Sequence, residues 1–221
     1  MIFRDIDIES NDALAHIARM ITNEKSILDI GCGLGSFGYL MQKYGKHCVD
    51  GIDIDSRYVD FAKRFYNDVY CFNVENEKIH SVVKNKYDAI VVADLIEHLY
   101  NPPMFLRKLN KCLNFSGSLF LSVPNIGHIG VISELLMGRF GYKDFGILDK
   151  THIRFFTRQS LNDLLSASGL RILAQDDVKV GIQESGFDQK YYEDLPFPVR
   201  TFLSERQDSF VQQFIVKAVF L

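Results

Sequence analysis

A cluster of glycines follows a short apolar run near the start of the chain. The run Ile27–Ile30 contains one carboxylate, Asp29, and is followed by Gly31, Gly33 and Gly35 at alternate positions. Glycine has no Cβ, so a turn built from it brings the backbone closer to a ligand than other residues allow. The segment therefore predicts a strand, a tight turn that binds a nucleotide-like ligand, and then a helix.

A second acidic position strengthens this prediction. Asp53 ends an apolar run and lies roughly 20 residues beyond the glycines, where nucleotide-binding βαβ units carry a ribose-binding acid. Both hydroxyls of a ribose can donate to one carboxylate. Ser56 is expected to cap the helix that follows. Asp53 is therefore predicted at the end of a strand, facing a crevice.

The spacing of the glycines bears on which nucleotide is bound. The dinucleotide fingerprint needs a third glycine where this chain has Ser36, and an anionic pyrophosphate would be repelled by Asp29 if that carboxylate reaches the turn. A cationic ligand would tolerate the acid better. An NAD-dependent oxidoreductase remains an alternative, with these two features against it.

Composition favours a single enzyme domain over residues 1–221. The chain is 47% hydrophobic and carries 25 basic against 28 acidic residues, a balance with no electrostatic footprint for nucleic acid. No leader-like start or membrane span is visible, so a cytoplasmic location is predicted. The four cysteines lack C-x-x-C spacing and are expected to be buried, reduced thiols.

Strands and helices alternate along the chain, as in a parallel sheet with helices on both faces. The continuous apolar run Tyr87–Ala93 is typical of a strand buried on both faces. Helices are predicted over 12–22 and 56–65, from Pro102, and from a Thr157 cap to a stop at Gly169. The other predicted strands are 48–55, 69–74, 118–123, 170–180 and 213–221.

The pattern D-x-G-x-G-x-G at 29–35 resembles motif I of the class I S-adenosylmethionine (SAM)-dependent methyltransferases. The run 87–99 followed by Asn101 and Pro102 resembles the fourth motif of the ubiquinone-biosynthesis type, with Ile96 in place of the usual leucine. The resemblance implies a Rossmann-like, seven-stranded, mostly parallel sheet with helices on both faces and a C-terminal antiparallel hairpin. It also implies that SAM is the cofactor.

The same resemblance assigns residues to the cofactor. Asp94 and Leu95 would border its methionine end, and Ile54 would flank the adenine. Asn73 occupies the position of the usual adenine-binding acid, with Glu75 close enough to compete, and Val74 would offer its backbone N–H. The glycines, Asp29 and Asp53 complete the predicted cofactor site.

Residues 125–156 form the most individual segment, placed where a substrate lid is expected. Its aromatic residues would line an acceptor pocket, or would complete the core within an extra helix pair: Phe140, Tyr142, Phe145, Phe155 and Phe156. His128 and His152 are the candidate general bases for a hydroxyl acceptor, with a structural role for each as the alternative.

Other residues of this segment and its surroundings refine the prediction. Asp149 is a candidate to orient His152, and Arg154 to bind an anionic group of the acceptor. No set of carboxylates accompanies Asp94 at matching strand ends, so no metal is predicted.

Two short resemblances point to different acceptors. The run 148–157 resembles bacterial methyltransferases associated with cell-surface glycans, and 123–128 is similar to a methyltransferase-like protein of methionine biosynthesis. The predicted activity is methyl transfer to a small-molecule or glycan acceptor, at oxygen, by a monomer or homodimer. A SAM-binding module without turnover is the further alternative.

Overall fold

Seven strands form one sheet in the computed structural model, which describes residues 2–45, 48–83 and 85–221. The sheet order is β3-β2-β1-β4-β5-β7-β6; β7 runs antiparallel to both of its neighbours, β5 and β6, and the other four pairings are parallel. The predicted mostly parallel sheet with a C-terminal antiparallel hairpin is confirmed. The strands are β1 (Ile27–Ile30), β2 (Val49–Asp53), β3 (Val69–Cys71), β4 (Tyr87–Ala93), β5 (Leu113–Pro124), β6 (Leu170–Lys179) and β7 (Val211–Phe220).

Helices cover both faces of this sheet and connect its parallel strands. They are α1 (Ala13–Met20), α2 (Ser36–Lys43), α3 (Ser56–Ala62), α4 (Ile79–Val82), α5 (Pro102–Leu109), α6 (Ile129–Leu136), α7 (Arg158–Ala167), α8 (Gln189–Glu193) and α9 (Phe197–Glu205).

Strand β4 shows why the sheet lies at the centre of the core. Ala89 and Val91 pack toward α1 and α2, whereas Ile90 and Val92 pack toward α5 and α7, and all four are fully buried. Alternate side chains of a strand point to opposite faces, so an uninterrupted apolar run suits a strand that is covered on both sides.

Side-chain caps fix where several helices begin. Asp12 caps α1 and Thr157 caps α7, each accepting a hydrogen bond from a backbone N–H of the first turn. Asp55, and not the predicted Ser56, caps α3 by accepting from the N–H of Arg57.

The cysteines depart in part from the prediction. Cys32 and Cys112 are buried, but Cys48, which precedes β2, and Cys71, the last residue of the edge strand β3, are exposed. No disulfide joins cysteines in the described part of the chain.

The segment 125–156 begins and ends beside the sheet. Asn125 pairs with Phe156 in an isolated bridge, and the N–H of Ile126 donates to the Phe156 carbonyl at 2.9 Å. Between these points α6 packs against α8 and α9 in a third apolar cluster, which includes Leu148 and Phe187. α6 lies in the segment for which an extra helix pair was the alternative, whereas no helix was predicted over α8 or α9. No helix among the described residues is long and apolar enough to cross a membrane.

Candidate active site

The glycine turn after β1 has the backbone conformation that its sequence predicts. Gly31, Gly33 and Gly35 have φ values of 83°, 53° and 89°, in the left-handed region that favours glycine. A Cβ built on Gly31 would lie 3.3 Å from Cδ1 of Leu95. Gly31 therefore lets the turn pass close to Leu95 at the end of β4, whereas a Cβ on Gly35 would meet the Phe65 ring at 2.9 Å, so Gly35 serves the packing of the turn.

Asp53 ties this turn to the end of β2. Its Oδ2 accepts a hydrogen bond from the N–H of Gly33 at 2.8 Å, and its Oδ1 accepts one from the N–H of Asp55 at 2.9 Å. Each carboxylate oxygen has a second lone pair, which stays available for a ligand hydroxyl. The two backbone bonds thus hold the carboxylate in place for the ribose contact predicted from its spacing.

A cavity of about 300 Å³ opens between the glycine turn and the ends of β2, β3 and β4. Six of the predicted cofactor residues line it: Gly31, Asp53, Ile54, Asn73, Val74 and Leu95. Its other lining residues are Ile30, Ile52, Phe72, Glu75, His98, Leu99 and Tyr100. We refer to it as the cofactor cavity. Ile54 and Phe72 give it apolar walls, and no lysine or arginine is among the described residues around it.

Asn73 and Glu75 both line the cofactor cavity, so either side chain is placed where it could contact the adenine. The Asn73 side-chain oxygen accepts from the N–H of Glu75 at 2.9 Å, which folds it back onto its own turn. The Glu75 carboxylate accepts from the N–H groups of Tyr100 and Asn101. Both side chains are thereby fixed at the cavity wall.

Asp29 does not reach the cavity, contrary to the expectation from its position in the motif. It is buried on the other face of β1, where the Tyr66 hydroxyl donates to its Oδ2 at 2.6 Å. That hydroxyl accepts in turn from the N–H of Gly38 in α2. Burial raises the Asp29 pKa to about 7. Asp29 therefore links β1 to α2 through the Tyr66 hydroxyl, and its charge does not exclude a pyrophosphate from the cavity.

Asp94 lies just beyond β4 and has a strained backbone. Its φ of 49° is unusual for a residue other than glycine, and such conformations cluster at functional sites. Its carboxylate accepts from the Ser122 hydroxyl and from the Gln213 amide, each at 2.8 Å. Asp94 lines a different cavity from Leu95, which follows it in the chain.

This second cavity has a volume of about 310 Å³ and lies next to the first. His98 lines both, so a ligand in one can meet a ligand in the other. We refer to it as the acceptor cavity. It is lined by Asp94, Glu97, His98, Pro124, Gly146, Ile147, Asp149, His152, Gln212 and Gln213. Segment 125–156 supplies four of these residues, namely Gly146, Ile147, Asp149 and His152.

Glu97 is the most unusual group in the acceptor cavity. It is 1% exposed, and neither carboxylate oxygen has a hydrogen-bond partner among the described residues. Burial, with a further contribution from the Asp94 charge, raises the Glu97 pKa well above its ordinary value, which favours the protonated, uncharged carboxyl group. A buried group that lacks partners costs free energy, and it marks a place where a ligand can complete the site.

Two imidazoles surround this carboxyl group. His152 Nε2 lies 3.9 Å from Glu97 Oε1, and the ring centroids of His98 and His152 are 4.8 Å apart in an edge-to-face arrangement. Ligand-type atoms of the three residues all lie within 4.8 Å of one another, a spacing that could hold a metal ion. This cluster was not predicted from the sequence, because its members come from segments about 55 residues apart and only one of the three is an acid near a strand end.

His152 is held in one orientation by its backbone partner. Its Nδ1 lies 3.0 Å from the Ile147 carbonyl oxygen, which can only accept, so Nδ1 carries the proton and Nε2 has the free lone pair. Burial lowers the His152 pKa, which keeps the ring neutral near pH 7. His98 is arranged in the same way by the Thr151 carbonyl oxygen, 3.1 Å from its Nδ1.

His128, a predicted general base, lies outside both cavities. It is fully buried and caps α6, with Nδ1 accepting from the N–H of Gly130 and Nε2 next to the Val180 carbonyl oxygen. Both ring nitrogens are used within the fold, so none is left for a substrate. These contacts favour the structural role that was the alternative for His128.

The aromatic residues predicted to line the acceptor pocket do not line it. Phe156 is buried in the core, and the other four are exposed at the surface of the segment: Phe140, Tyr142, Phe145 and Phe155. Arg154 donates to the Tyr100 carbonyl oxygen and is likewise absent from the acceptor cavity. Asp149 does line that cavity, but its carboxylate bonds Thr151 and not His152.

Comparison with known proteins identifies the class. The family model described as "Methyltransferase domain" matches residues 7–175, and the chain belongs to this family of SAM-dependent methyltransferases. A ubiquinone biosynthesis O-methyltransferase of Coxiella burnetii is 26% identical over 167 residues, covering 72% of this chain and 70% of that protein.

Two solved structures share the fold. A SAM-dependent methyltransferase from Archaeoglobus fulgidus has a TM-score of 0.64 at 18% identity and covers 95% of this chain and 94% of its own. The plantazolicin methyltransferase BamL, solved with S-adenosylhomocysteine, has a TM-score of 0.61 at 18% identity and covers 94% of this chain and 84% of its own. The protein is a SAM-dependent methyltransferase. This assignment replaces two alternatives from the sequence, an NAD-dependent oxidoreductase and a SAM-binding module without turnover.

Proposed function

We propose that this methyltransferase methylates a hydroxyl oxygen of a small-molecule or glycan acceptor held in the acceptor cavity, with His152 as the general base. One observation carries the proposal. His98 lines both cavities, and His152 lies directly against it on the acceptor side. The proton acceptor is thus next to the place where cofactor and acceptor meet.

The residues of the cofactor cavity suit SAM. Asp53 would hold the ribose, Ile54 would flank the adenine, and Gly31 and Leu95 would border the methionine end. When bound, SAM would supply a methyl carbon attached to a positively charged sulfur; the acceptor oxygen would bond to that carbon as the carbon–sulfur bond breaks, leaving S-adenosylhomocysteine. Because the cavity wall has acids and lacks basic side chains, it suits a positively charged ligand better than a pyrophosphate.

His152 has the features of a base at neutral pH. Its ring is neutral because burial lowers the pKa, and the Ile147 carbonyl leaves the Nε2 lone pair for a substrate proton. A hydroxyl that loses its proton to Nε2 becomes a stronger nucleophile. The protein's further task is to hold that oxygen at attack distance.

Glu97 is suited to orienting the same hydroxyl. In its uncharged form it has one O–H donor and a carbonyl acceptor, and neither is used within the described fold. A hydroxyl placed between Glu97 and His152 can accept from the first and donate to the second.

The charge of the acceptor cavity favours a neutral, hydroxyl-bearing substrate. Lysine and arginine are absent from its described wall, while Asp149 keeps a lowered pKa and is ionised. An acceptor with a carboxylate or phosphate inside the cavity would meet negative charge without a partner. Arg154 is therefore not retained as an anion-binding residue.

The relatives support oxygen as the attacked atom, since the Coxiella burnetii protein is named an O-methyltransferase. A role related to methionine biosynthesis, suggested by the run 123–128, is the second candidate. A lid formed by residues 125–156 within a single domain, a cytoplasmic location and a monomeric or homodimeric state also remain proposals.

The test replaces His152 by Gln and measures methyl transfer from SAM to a panel of neutral sugars, phenols and small alcohols. We expect a loss of roughly 10²- to 10⁴-fold in kcat, with the affinity for S-adenosylhomocysteine unchanged. His80→Gln is the matched control, since His80 is exposed on α4 and touches neither cavity.

Two outcomes would contradict the assignment. Equal kcat values for His152→Gln and His80→Gln would remove His152 from the reaction. Loss of wild-type activity on dialysis against EDTA, restored by a divalent cation, would assign Glu97, His98 and His152 to a metal instead of to acid–base chemistry.

A further inference from the structure

A groove between α4 and α5 is lined by positively charged side chains, with no acid among its described lining residues. Its volume is about 360 Å³, and it is lined by Lys78, His80, Met104, Arg107, Lys108 and Lys111. We refer to it as the basic groove. It shares no lining residue with the cofactor cavity or the acceptor cavity. The chain as a whole has a formal net charge of -3, so this concentration of cations is a local exception.

Two separate elements bring the charges of the basic groove together. Arg107 and Lys108 lie in the last turn of α5, and Lys111 lies in the short turn that follows it. Lys78 comes from the other wall, directly before α4. The helix dipole favours cations in the last turn of a helix, which accounts for Arg107 and Lys108 but not for Lys78. Because like charges that converge on one groove repel each other, the arrangement favours an anion between them.

The cations of the basic groove lack acidic partners. None of the four lysines and arginines forms an ion pair with a carboxylate in the described part of the chain. Arg107 donates from Nη2 to the Ala167 carbonyl oxygen at 2.9 Å, and its other guanidinium nitrogens have no partner among the described residues. Lys78 and Lys111 are exposed, and their ammonium groups likewise lack described partners. Three side chains can therefore donate to a ligand in the groove.

Lys108 connects the basic groove to the cofactor cavity. Its ammonium group donates to the carbonyl oxygen of Glu75 at 2.6 Å and lies 3.4 Å from that of Val74, and both of these residues line the cofactor cavity. Lys108 thus adds charge to the groove while it holds the loop that forms one wall of the cofactor cavity. An anion in the groove would bind next to this loop, and not in the place of the cofactor.

We propose that the basic groove is a second binding site of this protein and that it binds a diphosphate group, either as the inorganic ion or as part of a nucleoside diphosphate. Diphosphate concentrates negative charge and acceptor oxygens in a small volume, which suits donors that converge from two walls. A long polyanion such as a nucleic acid would extend beyond the groove onto a chain with an excess of acids. Met104 is 44% exposed and can pack against an organic group attached to the diphosphate.

The experiment titrates inorganic diphosphate calorimetrically into protein saturated with S-adenosylhomocysteine, so that the cofactor cavity is filled. The buffer has low ionic strength and no divalent cation. We expect one saturable site in wild type and binding weakened roughly 10-fold or more in the double variant Lys78→Ala/Lys111→Ala, which removes one cation from each wall. Uridine diphosphate is titrated in the same way. Tighter binding than that of diphosphate assigns the site to a nucleoside diphosphate, and equal or weaker binding assigns it to the inorganic ion.

Lys25→Ala/Lys190→Ala is the matched control. Both lysines are exposed, form no ion pair among the described residues and line neither the basic groove nor the two cavities. The control makes the same change in net charge, so it should weaken diphosphate binding by less than about twofold. Both double variants should keep the wild-type affinity for S-adenosylhomocysteine. Absence of saturable diphosphate binding to wild type, or equal weakening by the two double variants, would overturn the proposal.

Discussion

The buried pair of Asp29 and Tyr66 predicts that stability falls as the pH rises toward neutrality. Burial raises the Asp29 pKa from 3.8 to about 7; the Tyr66 hydrogen bond opposes this rise and the Asp53 charge adds to it. This difference in pKa corresponds to about 4 kcal/mol of folding free energy that favours the protonated acid over the ionised one. Because the pKa is raised in the folded state, folding favours the protonated form. The stabilisation is complete below about pH 4 and is lost as the pH rises through 7.

Asp29→Asn removes this titration while keeping a side-chain oxygen that can accept from Tyr66. The amide resembles the protonated acid, so the free energy of unfolding of the variant should rise relative to that of wild type as the pH increases across the same range. Structural relaxation around a buried charge reduces the full value, and we expect a difference of roughly 2–4 kcal/mol between about pH 4 and pH 8.

The assay is urea unfolding of wild type and Asp29→Asn at closely spaced pH values. The difference in free energy of unfolding should widen up to about pH 7 and then level off. Asp60→Asn serves as the control, since Asp60 is exposed on α3 and pairs only with Lys63 among the described residues. A difference for Asp29→Asn that stays constant with pH would refute the reasoning, because it would mean that the ionised acid is tolerated in the fold.

Two further predictions concern the frame of the site. Gly35→Ala should lower the free energy of unfolding by about 1–3 kcal/mol, since φ is 89° and the new Cβ would lie 2.9 Å from the Phe65 ring. Thermal unfolding measures this change, with Gly45→Ala as the control. An equal effect at both glycines would argue against the contact with Phe65. Gln213→Leu should lower the free energy of unfolding by about 1–3 kcal/mol, because the buried Asp94 carboxylate loses its amide donor. Urea unfolding measures this change, and an unchanged free energy of unfolding would show that the hydrogen bond contributes nothing to stability.

The sheet could be predicted from sequence because its strands are defined by local patterns. The bounds of β4 match the apolar run Tyr87–Ala93, and the glycine turn follows β1 where its spacing placed it. The start of β5 at Leu113 was missed by five residues, because an irregular register between β4 and β5 pairs Tyr87 with Leu113 outside the apolar run.

The acceptor cavity could not be predicted because its residues meet only in the folded chain. Glu97 and His98 follow β4, whereas His152 comes from a segment whose path depends on its packing against α8 and α9. The position of Asp29 did have a signal. Side chains alternate along β1, so Asp29 shares a face with Ile27, which packs toward α1 and α2, away from the cofactor cavity.

The central claim is that Asp53 and the glycine turn bind SAM in the cofactor cavity. The most direct measurement is calorimetric titration of wild type and Asp53→Asn with S-adenosylhomocysteine, with NADH as the control ligand. We predict micromolar binding to wild type, no binding of NADH, and at least about tenfold weaker binding to Asp53→Asn, because the amide can no longer accept from both backbone N–H groups and from two ribose hydroxyls. Equal affinity of both proteins for S-adenosylhomocysteine, or binding of NADH in its place, would contradict the account.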